Sequence, residues 1–306
     1  MIGFVFPGQG SQYAGMGKDL ADNFSVAKQL FEEANDSLGF DLAALCFGGP
    51  EEELKLTTNT QPAILTVSIA ALRVIEQETG LVPAFAAGHS LGEYSALVGA
   101  GALSFADAVR VVRKRGAFMQ EAVPVGEGAM AAIIGLDGGP LEEVCREAAQ
   151  GKVVSPANYN SPGQVVIAGH AEAVDRAIEL AKARGAKRAL PLPVSAPFHC
   201  SLMVPAGERL QEVLESVAVK PLNIPVISNV EAAPNADACR VKDLLVSQVS
   251  SPVRWDESVR AMVGLGVTRF IEIGPGKVLA GLVKRIDKGV EAQSVSDVAG
   301  LRSLKA

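Results

Sequence analysis

A serine at the tip of a tight turn, a histidine able to take its proton and an arginine on an apolar helix face could do chemistry together in this chain. Ser90 stands in Gly88-His89-Ser90-Leu91-Gly92-Glu93-Tyr94. An apolar run, residues 81–87, precedes it, and Leu91, Tyr94 and Val98 follow at helical spacing. Strand, Gly-x-Ser-x-Gly and helix together make a nucleophile elbow, a turn so sharp that glycines must flank the serine. Such a turn exposes the hydroxyl and aims backbone N–H groups and a positive helix end at any oxyanion formed there. The same string also occurs as a plain Gly-rich connection, but the strand and helix around it favour the nucleophile.

A serine hydroxyl needs a base that is neutral at working pH. The chain has three histidines, His89, His170 and His199. His89 adjoins Ser90 along a strand, so its side chain points the other way. His170 follows a hairpin strand, where a surface role is expected. His199 lies in Ser195-Ala196-Pro197-Phe198-His199-Cys200 at a domain junction and is the candidate base. A hydrolase-type triad would put an aspartate or glutamate between nucleophile and histidine. A helix and an inserted unit fill almost all of that interval, so the group orienting His199 is expected to be something other than a carboxylate. Arg115 has Val111, Val112, Phe118 and Met119 around it at helical spacing. A charge so placed needs an anionic partner, either an internal Asp or Glu or a ligand carboxylate.

The elements that position these residues read as an α/β chain. Residues 2–6 are a buried strand ending in Pro7-Gly8-Gln9-Gly10-Ser11-Gln12, a Gly-rich loop at a strand end, where ligands sit in α/β sheets. A helix is predicted over 63–78 with Pro62 near its first position, and another over 105–120 opened by the capping box Ser104-Phe105-Ala106-Asp107. From Val123 the texture changes. Strand 129–136, a turn at Gly139-Pro140, helix 141–149, two strands within 153–168 joined at Asn160-Ser161-Pro162-Gly163, helix 172–184 and strand 187–194 follow. That β-α-β-β-α-β order is ferredoxin-like. It makes 124–196 a small subdomain inserted in a large domain of 1–123 and 197–306. Then come helix 205–217, strand 224–229, helices 241–247 and 255–265, and strand 267–273. Gly274-Pro275-Gly276-Lys277, read as a structural turn, leads to a final helix 278–286.

Composition narrows the classes. The chain has 306 residues, 48% of them hydrophobic, and a net charge of −6, which argues against a nucleic-acid binder. Cys46, Cys145, Cys200 and Cys239 show no metal or redox spacing. No stretch approaches a membrane span, and the N-terminal run lacks a basic flank, so it is expected to be a strand rather than a leader. A cytoplasmic protein is expected.

Taken together the motifs resemble malonyl-CoA:acyl carrier protein transacylases, the acyltransferases of fatty-acid and polyketide synthesis. The resemblance rests on residues 6–12, 88–94 and 158–164, on Arg115, Phe198-His199 and Gln248, and on residues 271–276, and it spans the whole chain. It implies an α/β-hydrolase-like core with a ferredoxin-like insertion. It also implies that Ser90 carries the malonyl ester, that His199 is the general base and that the backbone carbonyl of Gln248 orients it. Backbone N–H groups of Gln9 and Leu91 would form the oxyanion hole. Arg115 would hold the free carboxylate of malonate, with Phe198, Met119 and Asn160 binding the rest of the substrate. Leu91 and Phe198 match the pattern that accompanies malonyl rather than branched extender units. No metal or cofactor is implied beyond the coenzyme A thioester substrate. The implied partners are malonyl-CoA and an acyl carrier protein, met by a monomer through Lys182, Arg184, Lys187 and Arg188 on the insertion or Lys284, Arg285 and Lys288 on the last helix. A serine thioesterase or hydrolase, a polyketide-pathway malonyltransferase and a non-catalytic carrier-binding subunit are the competing readings.

Overall fold

The structure is a computed structural model describing residues 1–194 and 196–305. Ser195, at the head of the expected histidine loop, lies outside the described residues. Among the described residues ten strands form two sheets. The larger runs in the order β10 (Glu291–Val295), β9 (Arg269–Ile273), β1 (Ile2–Phe6), β2 (Phe85–Gly88), β7 (Val226–Ile227) and β8 (Pro234–Asn235). All neighbours are parallel except β8, which returns antiparallel to β7. The register of β1 on β2 sets Phe6 opposite Gly88. The loop after β1 and the elbow after β2 therefore leave the sheet side by side.

Among the described residues fourteen α-helices pack around the sheets. The first four are α1 (Lys18–Asn23), α2 (Ser25–Leu38), α3 (Leu42–Gly48) and α4 (Glu51–Lys55). The long α5 (Thr57–Thr79), α6 (Gly92–Gly99) and α7 (Phe105–Glu121) follow. In the insertion lie α8 (Gly138–Ala149) and α9 (Ala171–Ala183), and after it α10 (Val204–Glu215), α11 (Val241–Ser250), α12 (Trp255–Gly264), α13 (Val278–Ile286) and α14 (Val298–Lys305). Strand alternation divides the large core. Phe4, Phe6, Ala86 and Ile271 face the side covered by α5, α6 and α7, whereas Val5, Ala87 and Phe270 face α12 and α13.

The smaller sheet runs β4 (Val154–Ser161), β5 (Gln164–His170), β3 (Gly128–Ile134), β6 (Arg188–Pro191), all antiparallel. With α8 and α9 on one face it is the expected ferredoxin-like unit. Ala131 and Ile133 face those helices, while Met130 and Val166 turn to the other side and join the main core. The bare face of the insertion thus lies over the large sheet. Two backbone bonds tie the units together, Tyr159 N–H to Val253 O (2.9 Å) and Val253 N–H to Ala157 O (2.8 Å).

Several expectations need correction. α5 starts at Thr57, so Pro62 sits inside it; the Asn59 and Thr60 N–H groups close a first turn on the Leu56 carbonyl before the proline is reached. Pro140 falls in the first turn of α8 rather than in a loop, where its missing N–H has no helical partner to lose. β7 is only two residues long, because Ser228 turns back to exchange bonds with Ala232 and Ala233. The helix at 278–286 is not the last element. β10 is a half-polar edge strand and α14 a short helix opened by Asp297, whose carboxylate caps Gly300 N–H at 2.7 Å. Weak alternation at an edge is easily passed over.

The elbow glycines are required by close approach. A Cβ on Gly88 would overlap the Gly92 backbone, and one on Gly92 would overlap the Phe6 carbonyl. Gly92→Ala is expected to lower stability by about 3 kcal/mol or more, since backbone cannot yield as a side chain can. Gly281→Ala on α13, with nothing within 4 Å of the new Cβ, should instead gain up to about 1 kcal/mol from helix propensity. Urea denaturation midpoints test both; an unchanged midpoint for Gly92→Ala would refute the packing argument.

Candidate active site

Ser90 takes a left-handed backbone conformation, φ 51°, between β2 and α6. A non-glycine residue there is strained, and Asn229 holds it. The Asn229 Oδ1 accepts from Ser90 N–H at 2.7 Å, and its Nδ2 donates to Gly88 O at 2.6 Å, so one side chain clasps both sides of the turn. His199 is strained in the same sense, φ 60°. The two meet: Ser90 Oγ lies 2.7 Å from His199 Nε2. His199 Nδ1 lies 2.9 Å from the backbone carbonyl of Gln248. A carbonyl only accepts, so Nδ1 carries the hydrogen and Nε2 keeps its lone pair for the serine proton. No carboxylate enters this relay.

Arg115 projects from α7 into the same space and is 1% exposed. Its Nη1 donates to Gln61 Oε1 (2.8 Å), and its Nη2 donates to Gln248 Oε1 (2.8 Å) and Ser90 Oγ (3.1 Å). The Nε–H has no partner among the described residues. Among the described residues no Asp or Glu pairs with it directly. Its partners are two neutral amides and the Ser90 hydroxyl, and the Tyr94 ring lies 5.5 Å away.

Gln248 is the hub. Besides the two acceptor oxygens already named, its Nε2 donates to Ser90 O (2.9 Å) and to Glu93 Oε2 (2.8 Å). Glu93 Oε2 also accepts from Asn229 N–H at 3.1 Å. Asn229, Glu93 and Gln61 were not singled out from the sequence. Glu93 sits in the elbow motif itself, three residues past the nucleophile, and an acid at that position near a helix start was the available signal. Nothing local distinguishes Asn229 or Gln61.

A cavity of about 120 Å³ adjoins Ser90, walled by Gln9, Gln61, Leu91, Met119, Met130 and Phe198. Five of the expected residues, Gln9, Leu91, Met119, Phe198 and Arg115, thus surround one space with Ser90 and His199. Among the described residues no acceptor engages the backbone N–H of Gln9 or of Leu91. Asn160 is placed differently. Its Oδ1 lies 2.8 Å from His89 Nε2, and it lines an adjoining groove of about 530 Å³ rather than the acyl cavity. Pro7, Gln12, Gln164, Leu192 and Leu279 also line that groove. His89 also lines the cavity beside Ser90, with its Nε2 held by Asn160 rather than by the nucleophile, and His170 accepts from Val153 N–H (3.0 Å) in the insertion. Among the described residues no group of three or more His, Cys, Asp or Glu could hold a metal ion.

Burial, and after it the nearby Arg115 charge, lowers the His199 pKa to about 3. Protonating it would add a second cation to a closed space. The shift is downward, so the imidazole stays neutral, and able to act as base, as pH falls through 6.5. The expected kcat/KM for acylation, which reports the free enzyme, is therefore flat from about pH 8 to about pH 5, with its acid limb well below the usual histidine range. An acid limb centred near 6.5 would show that burial and Arg115 do not depress the pKa of the base.

Residues 3–304 match the family model described as acyl transferase domain. The chain is 55% identical over 297 residues to the malonyl CoA-acyl carrier protein transacylase of Bacillus subtilis, spanning 97% of this chain and 93% of that one. It is 54% identical over 298 residues to the enzyme of that name from Escherichia coli, spanning 97% and 96%. An acyl carrier protein S-malonyltransferase structure from Vibrio cholerae superposes with a TM-score of 0.97 at 54% identity, covering 99% of each chain. A malonyl-transacylase solved in complex with a type II polyketide acyl carrier protein gives a TM-score of 0.97 at 53% identity, covering 99% of this chain and 98% of that one. Matched in sequence and in fold from end to end, the chain belongs to the acyl transferase domain family.

Proposed function

We propose that this protein transfers the malonyl group of malonyl-CoA to the phosphopantetheine thiol of an acyl carrier protein, through a malonyl ester on Ser90. The observation that carries this is Arg115: a guanidinium 1% exposed, 3.1 Å from Ser90 Oγ, with neutral partners and a buried Nε–H that has no partner among the described residues. A buried cation without a counter-ion is costly. A substrate carboxylate that takes the Nε–H and displaces the Ser90 hydroxyl from Nη2 would make a two-pronged charge-assisted contact and relieve that cost. The relatives named above from Bacillus subtilis and Escherichia coli carry this activity in their names.

The chemistry follows from the geometry. Ser90 Oγ attacks the thioester carbonyl as its proton passes to His199 Nε2. The Gln248 carbonyl holds Nδ1–H and stabilises the imidazolium formed. Backbone N–H groups of Gln9 and Leu91 are the candidate oxyanion donors. When the C–S bond breaks, the imidazolium returns its proton to the departing coenzyme A sulfur. The carrier thiol then repeats the sequence in reverse, with His199 as its base. Met119 and Phe198 close a cavity sized for a short acyl group. The larger groove with Asn160 and Gln164 suits an extended, amide-bearing arm. The split into a large domain, 1–123 and 197–306, and a subdomain, 124–196, fits this reading, since Met130 and Leu192 of the insertion complete the acyl cavity. The enzyme is read as a cytoplasmic monomer; no helix among the described residues is long and apolar enough to cross a membrane.

Intact mass spectrometry tests the reading directly. With malonyl-CoA the protein should gain one malonyl group, lost again on adding carrier protein; Ser90→Ala should gain none. Release of free malonate to water without transfer would make it a hydrolase. Selectivity tests the arginine. Arg115→Ala should cut malonyl kcat/KM by roughly a hundredfold, equivalent to about 3 kcal/mol, and leave acetyl transfer unchanged or improved. Lysine there should rescue only partly. Equal losses on both substrates would make Arg115 a structural residue.

Docking of an acidic carrier needs a local basic surface, because the enzyme is itself net negative. On the insertion, Lys182 pairs with Glu179, and Arg184 with Glu143 and Glu147. Lys284 on α13 and Lys288 just past its end are exposed with no ion pair among the described residues, and Val278 and Leu282 of the same helix wall the groove. Lys284→Glu with Lys288→Glu should raise the KM for carrier protein several-fold, most at low salt, and leave acylation by malonyl-CoA within about twofold. An unchanged KM would move docking elsewhere.

A further inference from the structure

The bonds around Gln248 converge on a carboxylate that the proposed chemistry does not use. Glu93 lies in the first turn of α6 and is 3% exposed. A side-chain amide can sit in either of two orientations, and only its surroundings choose. Here Nε2 faces two acceptors, Glu93 Oε2 at 2.8 Å and Ser90 O at 2.9 Å. Oε1 must therefore face Arg115 Nη2, at 2.8 Å. Turned round, the amide would set an NH2 group against the guanidinium and an oxygen against two oxygens. The backbone of Gln248 is involved too. It lies in the last turn of α11, where carbonyls lack helical partners, and its carbonyl is the one that holds His199 Nδ1. One residue thus aims both the base and the arginine, and its side chain is fastened at its far end by Glu93.

We propose that Glu93 is a positioning residue, which through Gln248 sets both the aim of His199 and the orientation of the Arg115 guanidinium. Asn229 completes the arrangement, donating its N–H to the same Oε2 while its side chain clasps the elbow. The role needs an acceptor oxygen at that point, not a charge, since both bonds fall on Oε2. Burial pushes the Glu93 carboxyl up to about 7, and a proton on Oε1 leaves the two bonds in place.

The proposal rests on the reading of Arg115 and Ser90 given above, and the test separates the two. Glu93→Gln keeps an acceptor at full reach without the charge. Glu93→Asp keeps the charge but withdraws the oxygen by one methylene. For both variants, for Arg115→Ala and for the unaltered protein, kcat/KM of acylation is measured with malonyl-CoA and acetyl-CoA, alongside Tm. Glu93→Gln is expected to stay within about fivefold of the unaltered protein on malonyl-CoA and to keep its preference for malonyl. Glu93→Asp is expected to lose about a hundredfold on malonyl-CoA and less on acetyl-CoA. The base is misaimed for both substrates but the arginine matters only for one, so the preference falls about tenfold. Loss in Glu93→Gln with retention in Glu93→Asp would overturn the proposal in favour of a charge effect. Equal losses on both substrates, or a changed Tm with unchanged kinetics, would reduce Glu93 to packing. If Arg115→Ala leaves the malonyl preference intact, the functional reading fails first, whatever the Glu93 variants do.

Discussion

A guanidinium buried beside the nucleophile, with no carboxylate touching it, governs what the rest of this site can be. Arg115 cannot shed its charge, and at 1% exposure it receives little help from water. The fold answers with oriented dipoles: the amide oxygens of Gln61 and Gln248, the Ser90 hydroxyl and the face of Tyr94. Dipoles lower the cost of the charge without cancelling it. That difference is what a substrate carboxylate can claim, and it makes the same residue both a liability for the empty protein and the source of its selectivity.

Two residues at the centre are strained as well. Ser90 and His199 both take positive φ, each at a cost of order 1–3 kcal/mol. Strain persists only where the surroundings leave no relaxed alternative. At Ser90 those surroundings are the Asn229 clasp and the Gly88 and Gly92 contacts, which allow no side chain to intervene. At His199 they are the bonds to Ser90 and Gln248 on either side of the ring. The nucleophile and base thus hold one another in place, which fits chemistry that needs both atoms within hydrogen-bond reach before the substrate arrives.

How much of this was legible in the sequence depended on whether the signal was local. The elbow, the capping box at Ser104, the β-α-β-β-α-β order and the apolar stripe around Arg115 are all written within a few turns of chain, and each was read. Pairing Ser90 with His199 needed only the scarcity of histidines. Asn229 and Gln61 could not be found that way. Asn229 reaches the elbow across 139 residues and Gln61 reaches Arg115 across 54, and neither has a local pattern to mark it. The Gln248 carbonyl came from the family resemblance rather than from any spacing, because every residue has a carbonyl. Boundaries erred where tertiary contacts override propensity: at Pro62, tolerated inside α5, and at Ser228, where the expected strand turns off so that Asn229 can serve the elbow. Asn160, expected on resemblance to bind substrate, lies against His89 in the groove that adjoins the acyl cavity.

The missing third carboxylate follows from the same constraint. In a hydrolase-type triad a buried acid orients the histidine and stabilises the imidazolium. Here an acid placed at His199 Nδ1 would also lie in the enclosed space that holds Arg115, and would bind the guanidinium or compete with the substrate carboxylate for it. A backbone carbonyl escapes the conflict. It orients Nδ1–H at 2.9 Å, its partial charge at a helix C-terminus favours the imidazolium, and it is too weak an anion to occupy the arginine. The one acid that the site does contain, Glu93, is kept at one remove, with the Gln248 amide between it and Arg115. A site that recognises an acid with a buried arginine must orient its base with something neutral, and the departure from the hydrolase pattern follows from what the enzyme binds.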